Sequence, residues 1–422
     1  MPSGLSISDT RDYFLRDGEG FFYLADTCWS AFTNVSLEEW SYYLDYRASQ
    51  GFNALQINIL PQHDRSESPY YIDPFAVKSD GDWDFDKINE EYFDRAERMI
   101  EMAVDKGFVP ALVVLWCNYV PGTWGSRLIK PRRVVPRERL ESYVEYVVER
   151  FGKYNPIFII SGDTNFESPE AEEYYLMALE VVKRECPKCL TTMHLAGGLW
   201  QLPKKIVGSP YYDFYMFQSG HDGKARPYEL AQRFYKMPIK RPVVNGEPCY
   251  EGLAGGRYYR HYRFDVRKAV WQSLLSGAKA GVAYGALGIW NWHRRGAKFF
   301  GEGFVGPSFD WQTALKFPGA DDVTLTKCLF KEYDLFDIQP SNDLLLDASP
   351  EIRVATGKGK VVVYAPYAWN IKLKVDASSY RWFGLELDGR RIFKPDIKQN
   401  GDIAILRVPE FNSDYVIVGM EA

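Results

Sequence analysis

An excess of one charge, long apolar runs and cysteine are what this chain has little of. Its 51 Lys+Arg stand against 56 Asp+Glu, a formal net charge of −5. No basic block is present that would track a phosphate backbone, which argues against a nucleic-acid partner. No stretch of about 18 apolar residues occurs, so no membrane-spanning helix is expected. The opening residues MPSGLSISDTRDYFLRDG lack the basic start and apolar stretch of an export signal. They fit a cytoplasmic protein, or an exported one whose signal peptide has been removed. The six cysteines, Cys28, Cys117, Cys186, Cys189, Cys249 and Cys328, are too sparse for a disulfide framework and fit a reducing compartment.

Metal signatures are also missing. His63, His194 and His221 fall in regions expected to be strand ends, but no H-x-H or H-E-x-x-H spacing supports a catalytic metal. Cys186-x-x-Cys189 has no second pair, which argues against zinc. Asp80-Gly-Asp82-Trp-Asp84 with Glu91 imitates a calcium loop, yet Phe85 stands where glycine is needed, so a solvated loop before a helix is expected there. The sequence therefore calls for no metal and no cofactor.

What is abundant is aromatic: 16% of the chain, including 12 Trp and 29 Tyr. Flat apolar faces with polar tips suit stacking on sugar rings, and large cores use them too. The 422 residues suffice for one large domain and a small companion.

Apolar strands alternate with amphipathic helices along most of the length. The strands are expected at 21–29, 52–60, 108–116, 156–165, 190–196, 213–219, 243–247 and 281–290. Helices are expected between them, the first opened by the capping box Ser36-Leu-Glu-Glu39 and closed by Gly51. Eight such pairs predict a (β/α)8 TIM barrel over 1–342. Beyond Asn342 the texture becomes alternating apolar and polar with turns at Gly357-Lys358-Gly359 and Asp388-Gly389. A small antiparallel β-sandwich over 343–422 is expected. No internal repeat is evident.

In such a barrel the carboxyl ends of the strands open onto one face, so residues there converge whatever their sequence separation. Strand four, PIFIISGDTN, ends in Asp163; strand seven, PVVNGEP, ends in Glu247. Two carboxyls on nearly opposite strands suggest glycosidic bond cleavage. Retention requires a carboxylate that attacks the anomeric carbon, here Glu247, and a protonated carboxyl that serves the leaving oxygen, here Asp163. Burial or the Glu247 charge would have to raise the Asp163 pKa. The competing roles are a helix N-cap or structural carboxylate for Asp163, and half of an ion pair for Glu247, with Glu251 as a rival four residues on. Substrate contacts are expected from Asp26, Trp29, His63, Trp116, Asn118, Asn165, Gln218, His221, Tyr250, Trp290 and Trp292, with Asn245 as a further hydroxyl ligand. Trp369 and Trp382 of the β-domain are read as core.

The segments ADTCW (25–29), RASQGFNALQ (47–56), SGDTN (161–165), QSGH (218–221) and NGEPCYEG (245–252) resemble the apiosidase-like glycoside hydrolases. The resemblance covers the barrel and extends to a small C-terminal β-domain; the chain departs from it at Ser161, where glycine is commoner, and in the loop 61–71. It implies a catalytic pair at Asp163 and Glu247, and retaining hydrolysis of plant cell-wall glycosides, with apiose in pectic side chains as the characterised substrate type. The alternatives are an endo-acting β-glycanase on the same scaffold and a non-catalytic carbohydrate-binding barrel. Oligomeric state is not legible.

Overall fold

The computed structural model describes residues 4–256, 259–346, 349–409 and 413–422. Its centre is a parallel sheet of eight strands: β1 Tyr23–Thr27, β2 Ala54–Asn58, β3 Val109–Trp116, β4 Ile157–Gly162, β5 Thr191–Thr192, β6 Tyr215–Gln218, β7 Val243–Glu247 and β8 Gly281–Tyr284. Neighbours follow chain order, with β8 pairing back onto β1. The gap between β5 and β6 is bridged by the Asp213 amide donating to the Thr191 carbonyl at 3.1 Å and the Thr192 hydroxyl donating to the Phe214 carbonyl at 2.7 Å. The result is the expected TIM-like barrel.

The principal outer helices are α1 Leu37–Gln50, α2 Glu90–Asp105, α3 Arg137–Phe151, α4 Pro169–Glu185, α5 Pro227–Tyr235, α6 Arg263–Leu274 and α7 Gly319–Glu332. In α1 both halves of the capping box form at Ser36 and Glu39, and Gly51 takes the left-handed C-cap at φ 99°, a conformation that favours glycine. Two local expectations differ. The 80–88 stretch is a solvated turn only over 80–82: Trp83–Ile88 pairs with Phe75–Val77 as a hairpin, because Trp83 is buried and stacks on Tyr119. Strand eight is short because Gly285–Trp292 turns across the barrel mouth instead of extending.

Beyond the barrel lie a six-stranded and a three-stranded antiparallel sheet. The larger contains β9 Arg353–Gly357, β10 Lys360–Ala365, β11 Tyr380–Glu386, β12 Arg391–Phe393 and β13 Tyr415–Glu421. Its sixth member is Gln339–Pro340, just upstream of Asn342. Strand alternation gives the larger sheet two apolar faces. Val362, Tyr364, Val416 and Val418 join the barrel's core, and Val361, Val363 and Ile417 join a second core with Ile371, Leu373, Ala404 and Leu406 of the smaller sheet. Trp271 of α6 stacks on Tyr364 with rings 13° apart. Buried Arg267 bridges Asp322 at 2.8 Å and Asp414 at 2.7 Å. Trp382 is partly buried, whereas Trp369 is 53% exposed and does not belong to the sandwich core; it sits beside a turn, where strand alternation no longer governs side-chain direction.

Candidate active site

Glu247 owes its direction to an irregularity in β7. Phe217 pairs with Asn245 and Gln218 with Glu247, leaving Gly246 as an extra residue in β7. Such a bulge reverses the side-chain phase. Asn245 accordingly points out of the barrel, its amide donating to the Ser219 and Ser273 hydroxyls at 3.0 Å each. Glu247, two residues on, turns inward. The bulge is braced from inside: the Gln56 amide donates to the Gly246 carbonyl at 2.9 Å and to the Thr27 hydroxyl at 3.1 Å, while Tyr23 donates to Gln56 at 3.2 Å.

Glu247 is 6% exposed, and among the described residues its carboxylate has neutral or histidine partners only. Its Oε1 accepts from Gln218 Nε2 at 2.7 Å and lies 2.8 Å from His221 Nε2. Its Oε2 lies 3.1 Å from His194 Nε2, at hydrogen-bonding distance but poorly aligned. Burial alone would raise its pKa; the His194 and His221 imidazoles beside it outweigh burial and bring it down to about 2.

Asp163 ends β4 at φ 50°, a left-handed conformation that aspartate tolerates. Gly162 before it has no alternative residue, since a Cβ would sit 2.2 Å from Trp116. The Asp163 amide donates to His194 Nδ1 at 3.3 Å and its carbonyl accepts from Trp124 Nε1 at 2.8 Å. No cation pairs with its carboxyl among the described residues. Burial first, then the negative charges of Glu247, Asp64 and Glu167, push its pKa well above the usual carboxylate value. Two carboxyls on facing strands are thus driven in opposite directions.

Aromatic residues wall the pair. Trp29 donates from Nε1 to the Tyr250 hydroxyl at 3.1 Å and packs edge-on against Trp116 and His194. Tyr250 lies on His221 with centroids 4.6 Å apart, and Gly285 lets it in, since a Cβ there would be 2.2 Å from its ring. Trp116, Trp290 and Gln218 are buried, yet Trp116 Nε1, Trp290 Nε1 and Gln218 Oε1 have no hydrogen-bond partner among the described residues. Unsatisfied buried polar atoms are costly unless a ligand or water meets them. Asn118 is buried in the turn after β3; His63 is partly buried beside Trp124, its Nδ1 likewise unpartnered. A groove of about 480 Å³ lined by Gly197, Trp200, His221 and Arg233 opens beside the pair.

Several expected contacts lie elsewhere. Asp26 is fully buried in an ion pair 2.5 Å from Arg47, with Tyr43 donating to it at 2.7 Å, so no sugar hydroxyl reaches it. Its strand parity directs it to α1, where Tyr43 and Arg47 are four residues apart on one helix face. Trp292 is fully buried, stacked on Trp311 with centroids 4.8 Å apart and donating to Glu39 at 3.3 Å; it is a core residue, not a sugar platform. Asn165 is exposed past the strand end. Glu251 binds the Tyr284 hydroxyl at 2.6 Å and the Gly319 amide at 2.9 Å, a structural tie to the start of α7. Conversely, His194, a strand-end residue without metal-ligand spacing, is fully buried against Glu247. Cys186 and Cys189 are joined in a disulfide beyond α4.

Comparison with known proteins agrees with this architecture. Residues 8–337 match the family described as apiosidase-like, catalytic domain, and the chain belongs to that family. It is a glycoside hydrolase, and its substrate is a carbohydrate. No curated protein matches it in sequence. Among solved structures it is similar to a glycoside hydrolase (TM-score 0.83, 20% identity, 99% of this chain and 97% of the other). It is also similar to a glycoside hydrolase family 5 protein from Bacteroides vulgatus ATCC 8482 (TM-score 0.82, 20% identity, 99% and 93%). A putative glycoside hydrolase from the same organism has TM-score 0.72 at 14% identity, covering 99% and 82%. At such identities these likenesses establish the fold. No helix among the described residues is long and apolar enough to cross a membrane.

Proposed function

We propose that the protein is a retaining glycosidase in which Glu247 attacks the anomeric carbon and Asp163 is the acid/base, acting on pectin- or hemicellulose-derived glycosides of plant cell walls. The observation that carries this reading is the opposite surroundings of the two carboxyls: the donors around Glu247 favour its ionised form, while burial and the Glu247 charge favour the protonated form of Asp163. In the first step Glu247 forms a bond to the anomeric carbon as the glycosidic bond breaks, and the Asp163 proton passes to the leaving oxygen. In the second, Asp163, now a carboxylate, takes a proton from water, which displaces Glu247 and releases the sugar with its original anomeric configuration. Once Glu247 is esterified its charge is gone, so the Asp163 pKa falls and the group is ready to act as base.

The free indole N–H groups of Trp116 and Trp290 and the free carbonyl of Gln218 support hydroxyl recognition without adding charge near the pair. The groove beside His221, with partly exposed Trp200 under the Arg233 guanidinium at 4.2 Å, is suited to the leaving-group portion. The test is hydrolysis of a pectin and hemicellulose oligosaccharide panel by the wild type, Glu247→Gln and Asp163→Asn. Cleavage by the wild type alone supports the reading. Full activity in both variants would sink it, and binding without product from any glycan would instead favour a non-catalytic barrel.

A further inference from the structure

The two histidines at Glu247 share an arrangement that the retaining mechanism does not require. A neutral imidazole carries one N–H, and a ring nitrogen that accepts a hydrogen bond cannot also bear the proton. His194 Nδ1 accepts the Asp163 backbone amide at 3.3 Å. His221 Nδ1 accepts the Tyr250 backbone amide at 3.3 Å. A backbone amide only donates, so in both rings the proton is driven to Nε2, and each Nε2 lies beside one Glu247 oxygen, His221 aligned at 2.8 Å and His194 at 3.1 Å but off the hydrogen-bond axis.

We propose that His194 and His221 are a matched pair of positioning residues, each an Nε2–H donor whose tautomer is set by a backbone amide, and that they tie the Glu247 carboxylate to the strand end bearing Asp163 and to the loop bearing Tyr250. The proposal rests on the assignment of Glu247 as nucleophile. His194 matters more for register, because one rigid ring links the backbone of the acid to the carboxylate of the nucleophile. A shift of β4 relative to β7 would break one of its two contacts.

The rings are held against rotation. His194 is fully buried, with Trp29 5.5 Å away at 81° and Trp116 5.6 Å away at 32°. His221 packs on Tyr250, and its own carbonyl accepts from His261 Nε2 at 2.7 Å. The titratable groups around His194 are Asp163 and Glu247. Those in contact with His221 are Glu247, Tyr250 and His261, with Asp222 adjacent and Lys224, Arg226, Glu229 and Arg233 lining the same groove. With no Lys or Arg bonded to Glu247 among the described residues, the imidazoles orient the carboxylate without a guanidinium or ammonium ion competing for it.

Two substitutions separate orientation of Glu247 from simple bracing. Glutamine reaches the Nε2 position and donates there; asparagine reaches only the Nδ1 position and accepts there. On a glycoside the wild type cleaves, His194→Gln should retain most of kcat/KM, whereas His194→Asn should lose about 10- to 100-fold. The acid limb of kcat/KM against pH should move upward in His194→Asn, because Glu247 loses a donor that favours its ionised form. The reverse ranking, or equal losses with the acid limb unmoved, would make His194 a backbone brace and overturn the proposal.

A readout independent of activity is 15N NMR of the full chain with labelled histidine at pH 7.5. Both rings are expected as the Nε2–H tautomer, and His194 should keep it in Glu247→Gln, where the Asp163 amide is still present. An Nδ1–H tautomer or a doubly protonated ring at either position overturns the proposal even if every variant misfolds. Should Glu247→Gln keep full activity, the nucleophile assignment fails, and the tautomer measurement still reports on the rings themselves.

Discussion

Asp26 and Glu247 both occupy the last turn of a barrel strand, both are buried, and their surroundings are opposites. Asp26 faces outward to α1 and is neutralised by Arg47 at 2.5 Å. Asp414 at the junction with the sandwich is likewise held by Arg267 at 2.7 Å. Glu247 faces inward and is held by an amide and two imidazoles. A carboxylate locked to a guanidinium has its charge committed to the fold, since separating a buried pair leaves an uncompensated ion. A carboxylate held by polar donors keeps its charge available to an electrophilic carbon. In the proposed mechanism, what sets Glu247 apart from Asp26 is the chemistry of its partners, not its place at a strand end.

The largest effect that would sharpen this contrast is at the inward site. Glu247→Gln should lower kcat by on the order of 10⁴-fold or more, with a fall in stability at neutral pH limited to what the depressed Glu247 pKa contributes. Asp163→Asn should cost about 10²- to 10⁴-fold, and markedly less on an aryl glycoside whose leaving group needs no proton. At the outward site the pattern inverts. Asp26→Ala strands a buried Arg47 and should destabilise the fold by about 3 to 5 kcal/mol in urea titration while KM stays put. A large rise in KM with unchanged stability would mean that Asp26 does bind substrate.

Smaller effects appear in pH dependence. Glu247 has a folded pKa of about 2 against an ordinary 4.5. A depressed carboxyl contributes stability above its unfolded value and loses it as pH falls through the folded value. The stability difference between wild type and Glu247→Gln should therefore shrink between about pH 4.5 and 2. Asp163 has the opposite sign: its raised pKa places the alkaline limb of kcat/KM, where the acid is lost. In Glu247→Gln the charge that helps raise it is removed, so 13C NMR should find Asp163 titrating lower, though still above the ordinary value because burial remains.

The fold was readable because its signals are local and repeated: apolar strands, capping at Ser36 and Gly51, and the change of periodicity near Asn342. That Asp163 and Glu247 stand at strand ends was readable from the abrupt close of two apolar runs; their catalytic roles are the proposal. What was misread is side-chain direction. Asp26 shares a parity with Leu24 that points to the helices, a cue the sequence contains. For Asn245 and Glu247 the same cue misleads, because the Gly246 bulge that sends them to opposite sides is a property of pairing with β6. The core role of Trp292 is not legible in the sequence because its packing against Trp311, Tyr43 and Glu39 depends on residues far along the chain. His194 is legible in the sequence only as a strand-end residue; its orientation between β4 and β7 rests on tertiary contacts.

The most direct test is to trap the intermediate. A 2-deoxy-2-fluoro glycoside of the sugar found by panel screening should label the enzyme once, and peptide mass spectrometry should place the ester on Glu247, with NMR of the normal reaction showing product of retained configuration. Inverted product, or an ester on Asp163, would contradict the account.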